Sequence, residues 1–287
     1  MTVPPKTIDT PQTVDTPLGP VAVVARACPA CGAANEDAPA SAYSRPPWTL
    51  KSCTDCGFVY LDAAPDYAAL AETLAWERSS KVEETRRAAA QPVGARLSKA
   101  TRFRLHLLPR QTAHDLVHAH AAPGPVLDLG CGEGQALLKL AEGYTPYGIE
   151  ISAALAATAK AAFLARGGDA VHAPSLVGLQ AFPDGFFTGA TLRAYLEHER
   201  QPKEVLQALH RVLAPDGVAI VKVPNYGSLN RRVMGAKWCG FRMPDHVNYF
   251  TPASLKTLAA DCGFDCRFGL LGALPTSDNM WAVLTKR

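Results

Sequence analysis

Three features of this 287-residue chain predict an α/β fold: a doubly wound, mostly parallel sheet of seven strands, with a small N-terminal ribbon and a helical lid. The first is Val126-Leu127-Asp128-Leu129-Gly130-Cys131-Gly132-Glu133-Gly134, a strand running into a turn with Gly at every second position. The second is the alternation of strand-like and helix-like stretches beyond Pro123-Gly124-Pro125, the pattern of a parallel sheet covered by helices. The third is a pair of Cys-x-x-Cys-Gly knuckles ahead of that region, Cys28 to Gly32 and Cys53 to Gly57.

In chain order, residues 1–24 are Thr/Pro-rich without an apolar run and read as a disordered tail, not as a signal peptide. Residues 25–62 hold the knuckles. Cys28, Cys31, Cys53 and Cys56 fit a tetrahedral Zn²⁺ site with no open position, which holds structure and does no chemistry. The alternative is a redox pair or unliganded thiols. Eight cysteines without an export signal point to a reducing cytoplasm, where clustered Cys are metal ligands before they are disulfides.

Residues 63–122 read as a helical lid. Tyr67, Leu70 and Leu74 recur at helical spacing up to Ala90, and Pro92 breaks the run. A second helix from Val93 to Leu108 carries Arg96, Lys99, Arg102 and Arg104. These bases form either a solvated face or a mouth for an acidic or phosphorylated substrate. His114, His118 and His120 read as an exposed helix end.

Residues 123–287 make the main domain. Its strands are Val126–Leu129, Tyr147–Ile151, Ala170–His172, Thr188–Leu192, Val218–Val223, and a final antiparallel pair, Phe264–Leu271 with Trp281–Lys286. Gln135 to Leu140 reads as the opening of a helix. Ser152 caps a helix to Arg166 that Gly167-Gly168 ends. A further helix spans Pro202–Leu213, Pro215-Asp216-Gly217 forms a turn, and Thr251-Pro252 starts a helix that stops at Gly263. Cys131, Cys239, Cys262 and Cys266 show no complete metal set and read as packing thiols. The net charge of +3 implies no strong field for nucleic acid, and no apolar run reaches the roughly 18 residues of a membrane span.

The Gly-rich turn is a nucleotide-type cradle, because Gly takes φ > 0 and lets a ligand approach the backbone. A dinucleotide site wants G-x-G-x-x-G; the spacing here is G-x-G-x-G, with an acid inside the strand (Asp128) and another ending the next strand (Glu150). D-L-G-C-G-x-G followed by G-I-E-I-S resembles motifs I and II of the class I S-adenosylmethionine-dependent methyltransferases. The resemblance implies a Rossmann-like sheet in which Gly130, Gly132 and Gly134 line the methionine moiety. It further implies Glu150 on the ribose hydroxyls, Asp128 near the ammonium group and Ile151 against adenine. The family often places an acid or amide after the third strand to meet the adenine amino group; Ser175 is the candidate here. Cys131 in the turn and Arg193 at the end of the fourth strand complete the cofactor set.

Arg193-Ala194-Tyr195-Leu196-Glu197-His198 resembles the L-E-H segment of small-molecule methyltransferases. Asp245-His246-Val247-Asn248-Tyr249-Phe250 resembles a segment of zinc-ribbon-bearing sugar methyltransferases, in which the matching His lies in the acceptor pocket. His246 is therefore the expected base or acceptor ligand, with Trp238, Tyr249 and Phe250 walling the pocket and His198 and Tyr195 in support. Glu197, Glu199 and Arg200 suit a helix start at the surface. The expected reaction is methyl transfer to O, N or C of a small molecule. RNA methylation through the ribbon and basic helix is the second reading, and a cofactor-binding regulator without catalysis is the third.

Overall fold

The computed structural model describes residues 12–16, 19–67 and 112–287. The stretches expected to form the lid helices, with Arg96, Lys99, Arg102 and Arg104, lie outside the described residues but for their first positions, Asp66 and Tyr67. The main sheet consists of β6 (Gly124–Leu129), β7 (Tyr144–Glu150), β8 (Asp169–His172), β9 (Phe187–Arg193), β10 (Leu213–Pro224), β12 (Phe264–Arg267) and β13 (Asn279–Lys286). Their order is β12-β13-β10-β9-β6-β7-β8. β6 to β10 run parallel, and β13 pairs antiparallel with both β10 and β12. The strand order reverses beside β6, which puts a crevice at the carboxyl ends of β6 and β9.

Local sequence explains the flanking helices. In α2 (Ala153–Leu164) the Ser152 hydroxyl accepts from the Leu155 N–H, and Gly167 adopts φ +75° just beyond the C-terminus. In α4 (Pro202–Val212) Val205, Leu206, Leu209 and Val212 form the buried stripe. Between them lies a short helix, α3 (Ser175–Leu179). Thr251 and Ser254 close a capping box on α5 (Pro252–Asp261). His114, His118 and His120 lie on α1 (Ala113–His120).

Two expectations for the main domain change. The stretch Gln135–Leu140 contributes only a 3₁₀ turn, Leu137–Lys139. β6 and β7 are adjacent and parallel, so residues 130–143 must carry the chain back along the sheet. Six strand residues span roughly 20 Å, and a helix covering that distance takes roughly 13 residues, leaving almost none for the two turns. Pro215-Asp216-Gly217 is not a turn outside the strand but an irregularity within β10, with Asp216 at φ +60°.

The N-terminal part departs further. Gln12–Thr16 (β1) and Gly19–Ala25 (β2) form a hairpin within the expected disordered tail, and β2 pairs with β5 (Ala63–Pro65). Val21 and Val23 point inward at alternate positions and pack in one apolar cluster with Trp48, Leu50 and Leu61. The ribbon strands β3 (Leu50–Ser52) and β4 (Val59–Leu61) are joined by β11 (Asn248–Tyr249), contributed by the main domain. Trp238, Phe241, Val247 and Tyr249 fill the same cluster as β2 and the ribbon, while Cys28, Cys53, Phe58 and Tyr60 belong to the main domain's own core. The boundary expected between residues 62 and 123 does not separate two cores.

One side chain secures this seam. The Asn248 amide donates to the carbonyls of Leu196 at 2.7 Å and Glu199 at 2.6 Å. Its oxygen accepts from Arg26 at 2.8 Å, and the buried Arg26 guanidinium also reaches the carbonyls of Arg200 and Val247. Asn248→Ala leaves two carbonyls and part of a buried guanidinium without partners, so a loss of about 3 kcal/mol is expected. Urea unfolding checks this prediction. A loss under about 1 kcal/mol would show that these groups find other partners.

Candidate active site

A cavity of about 440 Å³ opens at the carboxyl ends of β6, β7 and β9. One end of it is built from the glycine turn. Gly130, Gly132 and Gly134 adopt φ of +69°, +55° and +81°, a region that an L side chain enters only with strain. A side chain on Gly132 would meet open space, so that position is a bare wall for a ligand. A side chain on Gly134 would strike Phe163 of α2 at 2.6 Å; this glycine serves packing and does not line the cavity.

With no helix after the turn, a carboxylate takes up one of its N–H groups. Glu150 Oε2 accepts from Gly132 N–H and Oε1 from Ser152 N–H, both at 2.9 Å. These two bonds hold the carboxylate at the cavity wall, where its remaining lone pairs can accept two hydroxyls. Ile151, Leu155 and Pro174 supply an apolar surface beside it, and Cys131, Ser175 and Arg193 also line the cavity. Asp128 does not. It is buried beneath the turn, accepting from the Thr191 hydroxyl at 2.5 Å, and burial pushes its carboxyl up to about 6.

The opposite end is polar and aromatic. Ala194 leaves β9 at φ +52° and swings the chain into Tyr195-Leu196-Glu197-His198-Glu199. Tyr195 packs so close to Gly130 that a side chain there would lie 3.0 Å from the ring. The Glu199 carboxylate accepts from both Tyr195 at 2.5 Å and Tyr67 at 2.6 Å, and Arg200 stands over the Tyr67 ring. Burial and the Glu199 charge push both phenols up. Glu197 and Glu199 suit a surface helix start in sequence as well as a site; they are 2 % and 4 % exposed. Asn248 draws their segment into the protein, which local sequence does not reveal. Tyr67 has no signal either, reading only as one apolar position of a helix.

His198 lines the cavity and His246 does not. The two rings meet edge to face at 4.7 Å, with His246 behind. His246 Nδ1 is 2.8 Å from the Gly240 carbonyl and therefore donates its proton there. Burial, then the Arg242 charge, lowers His198 to about 4, so its ring is neutral at neutral pH. Burial pushes Glu197 up to about 8. Trp238, Tyr249 and Phe250, expected to wall the acceptor pocket, are buried in the two cores instead.

In the ribbon, one sulfur from each of Cys28, Cys31, Cys53 and Cys56 lies within 4.8 Å of the other three. Gly32 and Gly57, at φ +80° and +70°, let each knuckle turn back on its first cysteine. Burial opposes the Cys53 thiolate, but the Cys56 N–H and the Asn35 amide outweigh it and hold that thiol at about 6. Four soft donors in this arrangement fit Zn²⁺. None of the other four cysteines forms a disulfide among the described residues; Cys131 and Cys262 are buried as expected, but Cys239 is exposed.

The architecture defines a nucleotide-type site on a seven-stranded sheet. A methyltransferase-domain model matches residues 100–267, and the chain belongs to that family, as an S-adenosylmethionine-dependent methyltransferase. Among solved structures, a methyltransferase of this dependence from Methanosarcina mazei is similar at 18 % identity and TM-score 0.48, covering 61 % of this chain and 99 % of its own. Another from Archaeoglobus fulgidus is similar at 18 % identity and TM-score 0.48, covering 60 % and 90 %. No curated protein sequence matches significantly.

If Glu150 receives the ribose, Glu150→Ala is expected to weaken S-adenosylmethionine binding by about 2–3 kcal/mol. Calorimetry measures it, and an unchanged affinity would remove the ribose assignment.

Proposed function

We propose that the chain transfers the methyl group of S-adenosylmethionine to an oxygen or nitrogen of a small-molecule acceptor. The observation that carries this reading is the division of one cavity into two ends: the Glu150 carboxylate with the bare glycine turn, and a polar end made by Tyr195, His198, Glu199 and Asp245. About 440 Å³ is within the range of small-molecule sites.

When bound, S-adenosylmethionine supplies a methyl carbon on a positively charged sulfur. Gly130 and Gly132 leave room for its methionine part, Glu150 accepts its ribose hydroxyls, and Ile151, Leu155 and Ser175 border its adenine. Tyr195, held by Glu199, and His198 then fix the acceptor atom in line with the methyl group, which is most of what such a transfer requires of a protein. His246 acts behind His198 and does not take the acceptor proton directly. The ribbon holds a structural Zn²⁺ through Cys28, Cys31, Cys53 and Cys56. The ribbon's knuckles, through Cys28 and Cys53, are part of the main domain's core.

Labelled-methyl transfer from S-adenosylmethionine into a cell extract, fractionated into small molecules and RNA, tests the reading. Label in a small-molecule fraction is expected, and Tyr195→Phe should slow the transfer at unchanged cofactor affinity. Label confined to RNA, with salt-sensitive binding, would favour the RNA reading instead; tight cofactor binding without transfer would favour a regulator.

Elemental analysis of protein purified without chelator is expected to show a zinc equivalent that Cys28→Ser with Cys53→Ser removes. Because Cys28 and Cys53 pack in the main core, that loss should also lower the melting temperature of the main domain. An unchanged zinc content in the double variant would rule out the four-cysteine site.

A further inference from the structure

Glu197, His198 and His246 come together at the acceptor end of the cavity. A carboxylate oxygen of Glu197 and one ring nitrogen from each histidine all lie within 4.8 Å of one another. Two observations indicate what this group is built for. First, Glu197 is 2 % exposed, and its Oε2 has no hydrogen-bond partner among the described residues. A buried carboxylate oxygen without a partner is costly, and a bound cation is one of the few things that offsets it. Second, His246 gives its Nδ1 proton to the Gly240 carbonyl, which leaves the lone pair on Nε2. A backbone carbonyl that fixes the tautomer from behind is the usual support of a metal-binding imidazole.

The charges nearby are arranged compatibly. Arg242 is the cation facing both His198 and Glu197, and it is paired with Asp245 at 3.5 Å. Lys222 faces Glu197 from β10. Among the described residues neither donates a hydrogen bond to Glu197 Oε2. Of the three side chains, His198 is the one at the cavity wall. A cation held by the group therefore borders the cavity on the His198 side.

We propose that Glu197, His198 and His246 form a binding site for a divalent first-row transition-metal cation, distinct from the four-cysteine ribbon, with its open coordination positions toward the acceptor. Two imidazoles and one carboxylate leave such an ion with positions for water or substrate. The fitting acceptor class is a small molecule whose hydroxyl lies beside a second oxygen donor, so that both reach the ion. A hydroxyl on the ion loses its proton to water more readily. Its oxygen then forms the bond to the methyl carbon while the electron pair of the old C–S bond returns to sulfur, giving the methyl ether and S-adenosylhomocysteine. The acceptor class rests on the methyl-transfer reading; cation binding does not.

The test uses the full chain with its ribbon zinc in place and no acceptor. Mn²⁺ is titrated in and followed by water proton relaxation, because Mn²⁺ favours nitrogen and oxygen ligands over thiolates. Zinc is counted separately after equilibration with Zn²⁺ and removal of the free ion. The expected result is one saturable Mn²⁺ per chain, or a second zinc equivalent, weakened at least tenfold by Glu197→Gln and by His246→Asn and kept by Cys28→Ser with Cys53→Ser. Glu197→Gln preserves shape, and S-adenosylmethionine affinity in the same samples shows that the fold is intact. Absence of both Mn²⁺ binding and a second zinc equivalent in the wild type overturns the proposal, as does binding unchanged in both variants. A chain that binds the cation but transfers no methyl group keeps this site and loses the function proposed above; transfer without cation binding does the reverse.

Discussion

The amide of Asn248 is the interaction on which the polar end of the cavity depends. It ties the carbonyls of Leu196 and Glu199 to a strand that belongs to the ribbon's sheet, and the backbone N–H groups of Val247 and Asn248 both donate to the Glu197 carbonyl. The segment from Leu196 to Arg200 would otherwise leave β9 at the surface as a polar loop. Fastened this way, it turns two carboxylates and a histidine inward. The energy that keeps these charged groups out of water comes from buried apolar contacts elsewhere in the seam, among Trp48, Trp238, Phe241 and Tyr249.

The cofactor end is solved with a different economy. A helix following the first strand would present several N–H groups and a partial positive charge to an anionic ligand. This chain has too few residues between β6 and β7 for such a helix, and the negative Glu150 carboxylate takes the Gly132 N–H instead. The result is a wall that accepts hydrogen bonds more than it donates them. Such a wall suits sugar hydroxyls and a cationic sulfur and opposes a pyrophosphate, in keeping with the family to which the chain belongs.

Much of this was legible in the sequence because the determinants are local. Gly130, Gly132 and Glu150 announce the cradle by spacing, and of the nine cofactor candidates named from sequence all but Asp128 and Gly134 line the cavity. The four cysteines and the succession of the main strands along the chain were equally plain. What was hidden depends on contacts distant in sequence. Val21 and Val23 sit in a Pro/Thr-rich stretch whose partners, Trp48 and Leu61, lie far along the chain. The burial of Glu197 and Glu199 depends on Asn248, and Tyr67 meets Glu199 across 132 positions. His246 and His198 could be named as a pair, but only the fold shows which of them faces the cavity.

The strand Asn248–Tyr249 closes one edge of the ribbon's sheet while its chain belongs to the methyl-transfer domain. The two parts are therefore not interchangeable modules. A chain cut back to the main sheet would carry an unpaired strand edge flanked by Trp238, Phe241 and Tyr249, rings that now lie against β2 and the ribbon. Exposed edges with apolar neighbours recruit other chains. Any exchange of the ribbon would have to exchange the Trp238–Tyr249 surface with it.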